Sequence, residues 1–141
     1  MSIFNISISQ MSVKELQILP TNLTPEIILN PEGIIKIKGR WMNENIADFS
    51  KPILDWFDTY ICDPAEITFA DIYLEYFKGV NLMIFISLLK KITYIKLKDK
   101  KFVINWYYEE GDEDILEQGE YISSFLDVPF NFIMIPESID D

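Results

Sequence analysis

Acidic side chains dominate the residues of this chain that could do chemistry. Five of them lie within one short segment: Glu109, Glu110, Asp112, Glu113 and Asp114. Acid–base catalysis by a carboxylate pair requires one member to be desolvated, so that its pKa departs from that of the other. Consecutive acids in the first turn of a helix are usually solvated, and there they complement the helix dipole. We therefore expect this segment to begin a helix or to contact a partner, with a carboxylate enzyme as the less favoured alternative.

The chain lacks the residues that other kinds of catalytic site require. The chain contains no histidine, which excludes a Ser-His or Cys-His nucleophile. Its five glycines are isolated, so no phosphate-binding loop is predicted, and neither the acids nor Cys62 match the spacing of a calcium or zinc site. Cys62, next to Asp63, is interpreted as a packing residue. An enzyme that uses Arg40 with Glu44 is a further alternative, but we predict no catalytic residue, metal or cofactor.

The composition limits the fold and its partners. At 141 residues, of which 49% are hydrophobic, the chain is long enough for one packed domain. Its net charge of -11 disfavours binding to nucleic acids and to anionic membranes, because both are negatively charged. The longest apolar run, residues 82–89, is too short to span a bilayer, and a single cysteine fits a reducing compartment. We expect a cytoplasmic protein.

Alternation of apolar and polar residues predicts six strands. They cover residues 16–18, 27–29, 35–37, 67–76, 102–108 and 130–135. The fourth changes the parity of its apolar residues, which predicts a bulge near Ala70 and Asp71. The fifth is apolar on both parities, as expected of a central strand covered on both faces. Residues 1–12 are interpreted as an arm or a weak edge strand, without an assigned function.

Helical spacing predicts three helices. The first carries Phe49, Ile53, Trp56 and Tyr60, the second covers residues 80–95, and the third begins at residues 112–114 and packs through Ile115, Gly119, Ile122 and Leu126. Between residues 82 and 89 the second helix has more apolar positions than one buried face requires, so part of it is expected to face a partner. The predicted fold class is α/β, a single domain over residues 13–141 with about three helices on a mixed sheet.

Several motifs agree in order and spacing with those of one bacterial family. They are the run Trp106-Tyr107-Tyr108-Glu109-Glu110, the segment Leu74-Glu75-Tyr76-Phe77, and the pairs Gly39-Arg40, Glu44-Asn45 and Pro129-Phe130. The chain thus resembles the SiaC family of regulatory phosphoproteins. The resemblance implies a fold similar to the anti-sigma-factor antagonists of the SpoIIAA (STAS) type and a non-enzymatic partner switch. In such a switch the unmodified protein binds and activates a diguanylate cyclase, a kinase phosphorylates it and a PP2C-like phosphatase restores it, which controls cyclic-di-GMP and biofilm formation.

The chain departs from the family at its phosphoacceptor. In the family the phosphorylated threonine lies in an Asn-Thr-Ser-Ser run directly after the Tyr-Phe pair, whereas here the run reads Lys78-Gly79-Val80-Asn81. Gly79 therefore stands at the phosphoacceptor position without a hydroxyl. We expect a phosphorylation-blind member, fixed in the partner-binding state or adapted to another partner. The alternatives are that a neighbouring hydroxyl, such as Thr68 or Ser87, has taken over, or that the original role is lost.

The resemblance implies a partner-binding surface on two segments. The first holds Arg40, Trp41, Met42, Glu44 and Asn45, and the second holds Tyr76, Phe77, Lys78, Gly79, Val80, Asn81 and Leu82. An exposed Trp41 and Met42, with the apolar helix that follows Leu82, would form a docking patch. Packing of these residues in the core is an equal alternative. Self-association as a homodimer through residues 82–89 is a third interpretation.

Overall fold

The computed structural model describes residues 13–42, 46–77 and 80–137, so the predicted arm at residues 1–12 lies outside the described residues. Within these ranges six strands follow one another: β1 (Leu16–Ile18), β2 (Glu26–Asn30), β3 (Ile34–Trp41), β4 (Ile67–Phe77), β5 (Lys101–Glu109) and β6 (Asn131–Ile135). The α-helices are α1 (Ile46–Tyr60), α2 (Val80–Thr93) and α3 (Glu113–Leu126), and a 3-10 helix, Tyr94–Lys98, follows α2. The predicted strands and helices are all present.

The strands form one mixed sheet, in which their spatial order is their order in the chain. β1, β2 and β3 pair antiparallel, whereas β3, β4, β5 and β6 pair parallel. Each parallel connection passes through one α-helix. Right-handed crossovers that always advance in the same direction place their helices on the same face of the sheet. The fold is therefore α/β, as predicted, with a helix layer on one face; the other face, which carries no helix within the described ranges, we call the open face.

Aromatic side chains join the helix layer to the sheet. Trp41 on β3 meets Phe49 of α1 and Phe85 of α2 edge-on, each with 5.6 Å between ring centroids. Phe85 also packs against Trp106 on β5, at 6.0 Å. All but Phe49 are fully or almost fully buried. These contacts fix two helices over the centre of the sheet.

Helix α3 begins with a side-chain cap. Asp112 is its N-cap, and the Oδ1 atom accepts a hydrogen bond from the backbone N–H of Ile115 at 3.1 Å. Glu113 and Asp114 occupy the first turn, where their charges complement the helix dipole. The predicted helix start is confirmed. The predicted packing stripe is confirmed too: Ile115, Gly119 and Ile122 are buried and Leu126 is half-buried.

The predicted bulge near Ala70 and Asp71 is wrong. Buried and exposed residues alternate along β4 without interruption from Thr68 to Glu75, and the pairing with β5 is continuous. The apolar side chains that suggested a parity change, Ile67 and Phe69, are exposed on the open face. The irregularity lies nearer the end of β4, where the pairing with β3 shifts.

Strand β5 lies inside the sheet, between β4 and β6, as predicted. The expectation that both of its faces are covered is wrong, because the helices lie on one side only. Ile104 and Trp106 are buried beneath the helix layer, whereas Val103 and Tyr107 are half-buried on the open face. Among the described residues, neighbouring side chains of the sheet shield them there, and no second layer does.

Helix α2 packs against its own sheet through most of its apolar residues. Phe85, Ile86, Leu88 and Leu89 are buried. The excess of apolar positions in residues 82–89 therefore belongs to the core, and the interpretation of this segment as a dimer face is wrong for these four residues. No helix in the described ranges is both long and apolar enough to cross a bilayer.

Candidate partner-binding site

The two segments predicted to form the partner surface meet at one edge of the sheet. β3 and β4 are parallel neighbours that end side by side, with Arg40 opposite Tyr76 and Trp41 opposite Phe77. Of the predicted site residues, Glu44, Asn45, Lys78 and Gly79 lie outside the described residues, as do the side chains of Tyr76, Phe77, Val80 and Asn81. The described backbone is enough to place both segments together. We call this region, with the loop that joins β1 to β2, the switch edge.

A local irregularity shapes the end of β3. Gly39 pairs with Leu74 and Arg40 pairs with Tyr76, so Glu75 is an extra residue on β4. Gly39 has a φ of +126°, which favours glycine because it has no Cβ. A β-bulge of this kind redirects the strand that carries it, and such bulges often lie next to functional sites.

Trp41 does not lie on the surface. Its exposure is 0%, and the ring is enclosed by Phe49 and Phe85. The prediction of an exposed Trp41 is therefore wrong, because the large apolar ring joins the core between α1 and α2. Its buried indole N–H has no hydrogen-bond acceptor among the described residues. Arg40 is exposed and Met42 is half-buried, so these two remain available to a partner.

The loop between β1 and β2 belongs to the switch edge, and the sequence did not reveal this. The backbone N–H of Met42 donates to the carbonyl of Leu23 at 2.7 Å, which ties the end of β3 to this loop. The hydroxyl oxygen of Thr21 accepts from the backbone N–H groups of Leu23 and Thr24, at 3.1 and 2.9 Å. The side chain of Leu23 is 52% exposed. The sequence signal that could have indicated this surface is an isolated leucine, Leu23, in a loop of threonines and prolines.

The first turns of α2 add a second exposed apolar residue. Met83 is 63% exposed and Leu82 is half-buried, in contrast to the buried residues further along the helix. The first turn of α2 contains no acidic residue, whereas α1 has Asp48 and α3 has Glu113 with Asp114. The positive end of the α2 dipole is thus left without a carboxylate of its own first turn. Leu23 and Met83 supply exposed apolar surface to the switch edge.

The acidic segment after β5 lines a cavity that is small for a substrate. A cavity of about 60 Å³ is lined by Tyr73, Leu74, Glu75, Glu109 and Asp112. Small-molecule sites usually measure about 300–1,000 Å³. Asp112 caps α3, and the side chain of Glu110 accepts a hydrogen bond from the backbone N–H of Glu137 at 3.1 Å. The arrangement supports the predicted helix start better than it supports acid–base catalysis.

Neither a metal centre nor a packed thiol is found in the part of the chain that the structure describes. Acids and cysteine nowhere form a group of three that could hold a metal ion there. Cys62 is exposed, which corrects its interpretation as a packing residue. Its thiol donates to the carbonyl of Asp58 at 3.4 Å, as in a side chain that folds back on its own helix end.

The open face carries side chains in rows that cross the strands. One row is apolar and contains Ile34, Phe69 and Val103, which are direct neighbours on β3, β4 and β5. The next row is polar: the amide of Asn105 donates to Asp71 at 2.8 Å and accepts from the amide of Asn131 at 3.0 Å.

The third row is aromatic. The rings of Tyr73 and Tyr107 stack with 5.9 Å between centroids, and the ammonium of Lys38 lies 5.0 Å from the centre of the Tyr73 ring. A shallow cavity of about 350 Å³ adjoins this row and the switch edge, and Pro20, Glu26, Gly39 and Glu75 complete its lining. Its volume lies at the lower end of the range of small-molecule sites.

Comparison with known proteins gives one family. The model of the SiaC family of regulatory phosphoproteins matches residues 18–135. SiaC of Pseudomonas aeruginosa is 19% identical in sequence, with a TM-score of 0.74, over 89% of this chain and 100% of that chain. A chain in the crystal structure of the diguanylate cyclase SiaD in complex with its activator SiaC, from the same organism, is 20% identical, with a TM-score of 0.75, over 86% and 99% of the two chains.

The apo-SiaC structure of Pseudomonas aeruginosa is also similar, at 20% identity and a TM-score of 0.73, over 86% of this chain and 98% of that chain. At these identities the structural likeness establishes the fold. No protein of curated function matches the sequence.

Proposed function

Because the chain belongs to the SiaC family of regulatory phosphoproteins, we propose that it is a non-enzymatic cytoplasmic regulator that binds and activates a diguanylate cyclase through the switch edge. The observation that carries the proposal is the pairing of Arg40 with Tyr76 and of Trp41 with Phe77, which joins the two segments implied by the family resemblance. The similar fold of SiaC, which is the activator of SiaD in the structure of their complex, supports the same role.

The surface of the switch edge suits a protein partner. Leu23 and Met83 expose apolar area, and Arg40 adds a cation that takes part in none of the ion pairs among the described residues. Interfaces combine apolar anchors with arginine, which is enriched at such sites relative to lysine and glutamate. The partner has to bring an apolar anchor and a carboxylate for Arg40.

The unmodified state is the binding-competent one in this proposal, and the chain is held in it. Gly79 has no hydroxyl, and Lys78, Val80 and Asn81 have none either. Thr68, one of the hydroxyls that could replace the missing phosphoacceptor, has an exposure of 0% and bonds to Tyr60, so a kinase cannot reach it in the folded protein. Ser87 is exposed, with its hydroxyl bonded to the carbonyl of Met83 at 3.1 Å.

A reconstituted cyclase assay tests the proposal. A diguanylate cyclase from the same genome is assayed for cyclic-di-GMP production with and without the purified protein, its Leu23→Glu and Met83→Glu variants, and the control variant Phe125→Glu. Phe125 is equally exposed but lies on α3, near its C-terminal end. We expect activation by the wild type and the control. The two edge variants are expected to bind the cyclase at least tenfold more weakly, and therefore to activate it only at correspondingly higher concentration. Equal activation by all four proteins would contradict the assigned surface, and no activation by any would contradict the function.

The phosphorylation-blind state has its own test. The wild type and a Gly79→Thr variant are incubated with the cognate kinase, and the phosphate is located by mass spectrometry. We expect phosphate only on the variant, at the threonine introduced in place of Gly79, and release of the cyclase by the phosphorylated variant, since a phosphate adds nearly two negative charges at the binding surface. Stoichiometric phosphate on Ser87 of the wild type would show instead that a neighbouring hydroxyl has taken over.

A further inference from the structure

The two central strands of the open face, β3 and β4, carry side chains in matching rows. β3 presents an apolar residue followed by two cations, and β4 presents an apolar residue followed by a carboxylate and an aromatic ring. The paired residues, from the apolar row onward, are Ile34 and Phe69, Lys36 and Asp71, and Lys38 and Tyr73. Because the strands are parallel neighbours, the two members of each pair lie side by side in one row.

The apolar row has no covering layer in the described part of the chain. Ile34 is 51% exposed and Phe69 is 46% exposed. The first described residues lie on the opposite side of the sheet, where Val13 packs against the core and the carbonyl of Lys14 accepts from the indole N–H of Trp56 at 2.6 Å. Contiguous apolar surface of this kind usually marks a site that another molecule covers.

The charges beside the apolar row are only partly paired within the chain. Lys36 forms its ion pair with Glu26 on β2, at 3.2 Å. Asp71 is half-buried and accepts a hydrogen bond from the amide of Asn105, but it takes part in none of the ion pairs among the described residues. Lys38 forms no ion pair within these ranges either, and its ammonium lies above an aromatic ring. The face thus offers both a cation and a carboxylate to an opposing surface.

A second copy of the chain is complementary to this pattern. A two-fold axis that runs along the seam between β3 and β4, midway between two facing sheets, places β3 of each copy over β4 of the other. Ile34 of each copy then meets Phe69 of the other, and Lys36 of each meets Asp71 of the other. Contacts across a two-fold axis recur in this reciprocal way. Facing sheets pack about 10 Å apart with their strands within about 30° of each other, which this arrangement permits.

We propose that the protein forms a reversible homodimer in which the open faces of two copies pack together along β3 and β4. A second copy suits the face because each charge of one copy meets its opposite on the other, and such complementarity selects the partner. Six strands about 4.8 Å apart and five residues of about 3.3 Å give a face of roughly 480 Å² per copy. This is the size of a weak interface, and the net charge of -11 opposes association, so we expect dissociation in the micromolar range.

Sedimentation equilibrium of the full-length protein alone tests the dimer, independently of the proposed function. We expect a monomer–dimer equilibrium in the wild type and at least tenfold weaker association of Ile34→Glu. The control Phe125→Glu, at an exposed position on α3, is expected to leave the association unchanged. A protein that stays monomeric up to several hundred micromolar would overturn the proposal and leave the open face to a partner of another kind or to another segment of the chain. Equal weakening by both variants would overturn it as well.

A pair of charge variants tests the arrangement of the two copies. Lys36→Glu and Asp71→Lys each place like charges at both reciprocal contacts, so each variant alone is expected to dimerise at least tenfold more weakly. In an equimolar mixture each variant supplies the charge that the other requires, and we expect heterodimers with an affinity within threefold of the wild type.

Mixing does not relieve repulsion between neighbours within one chain, so recovery in the mixture identifies a contact between copies. If Asp71→Lys does not fold, Asp71→Asn takes its place, and the mixed dimer is then expected to be tighter than the dimer of Lys36→Glu alone. Absence of recovery in the mixture would overturn the proposed arrangement.

Discussion

Gly119 approaches the indole of Trp106 so closely that a Cβ added at Gly119 would stand 2.5 Å from both Cε2 and Nε1 of the ring. Trp106 is 1% exposed, and its indole N–H donates to the carbonyl of Ile115 at 3.0 Å. Helix α3 therefore both accepts the hydrogen bond of the Trp106 ring and packs closely against it, which fixes the ring in place. The absence of a side chain at Gly119 sets the distance between α3 and β5.

Gly119→Ala is expected to destabilise the protein although alanine favours helix. The added methyl must displace a buried, hydrogen-bonded ring, and overpacking of this kind costs about 1–3 kcal/mol, more than the roughly 1 kcal/mol that alanine gains over glycine in a helix. Urea unfolding measures the change, with Glu120→Ala at the exposed neighbouring position as the control. A variant as stable as the control would show that the ring can move aside.

Two of the three buried tryptophans, Trp106 and Trp41, are expected to respond differently to loss of their N–H groups. Trp106→Phe removes an existing hydrogen bond, whereas Trp41→Phe removes a donor for which the described part of the chain offers no acceptor. Both changes shrink the core by a similar volume. Trp106→Phe should therefore cost about 1–3 kcal/mol more than Trp41→Phe in free energy of unfolding. Equal losses in denaturant melts of the two variants would mean that the indole of Trp41 has found an acceptor in solution.

The N-cap of α3 predicts that the stability of the protein depends on the side-chain oxygen of Asp112. Asp112→Ala removes the acceptor of the Ile115 N–H, and the expected cost is about 1 kcal/mol. Asp112→Ser keeps an oxygen at the N-cap and is expected to retain most of the stability. Thermal unfolding of both variants distinguishes capping from loss of a negative charge, since a charge effect would lower the stability of both equally.

A double-mutant cycle tests the buried pair of hydroxyls on α1 and β4. The oxygens of Tyr60 and Thr68 are 2.7 Å apart, and the phenol oxygen also accepts from the backbone N–H of Ala65 at 3.2 Å. Thr68→Val is expected to cost about 1–2 kcal/mol, because the hydroxyl of Tyr60 loses a buried partner. In the Tyr60→Phe background the same change should cost less by at least about 0.5 kcal/mol. Strict additivity of the two changes would exclude the bond.

The pKa of Tyr73 predicts a loss of stability at high pH. Burial, and then the carboxylates of Glu109 and Glu75, raise the pKa of this phenol above its ordinary value of 10.0. The folded protein therefore holds the proton more tightly than the unfolded chain does. This contribution to stability is complete below the unfolded pKa and is lost as the pH rises through the higher folded value.

The difference between the tyrosinate absorbance of the wild type and that of Tyr73→Phe isolates the titration of this one phenol. It should show a transition above the ordinary pKa, and Glu75→Gln should move that transition to lower pH. A difference curve centred at or below the ordinary pKa would refute the effect of burial and of the two carboxylates.

Local patterns predicted the elements because their periodicities were strong. The stripe of Ile115, Gly119 and Ile122 on α3 is a single helical face, and the alternation around Ile35 and Ile37 on β3 is a single strand face. The alternation pattern gave a wrong prediction at Ile67 and Phe69, because apolar residues were assumed to point into the core. A sheet with one open face violates that assumption, and only the direction of successive crossovers reveals that the face is open.

The candidate site follows only in part from the sequence. The resemblance named the segments at Arg40 and Tyr76, but their adjacency follows from the pairing of β3 with β4, which no local pattern encodes. Trp41 was misplaced because burial between two helices is a tertiary property of a residue at a strand end. Leu23 was missed because its place at the switch edge depends on one backbone hydrogen bond to Met42, far along the chain.

The order of the strands in the sheet also bears on how the protein is made. Each strand that leaves the ribosome can pair with the strand synthesised just before it, and no later strand has to insert between two earlier ones. The sheet can thus assemble during translation by the addition of each new strand to the same edge. An interrupted chain would end in a sheet with one unpaired edge strand, to which the next strand would have paired, and stalled chains would associate through the same edge.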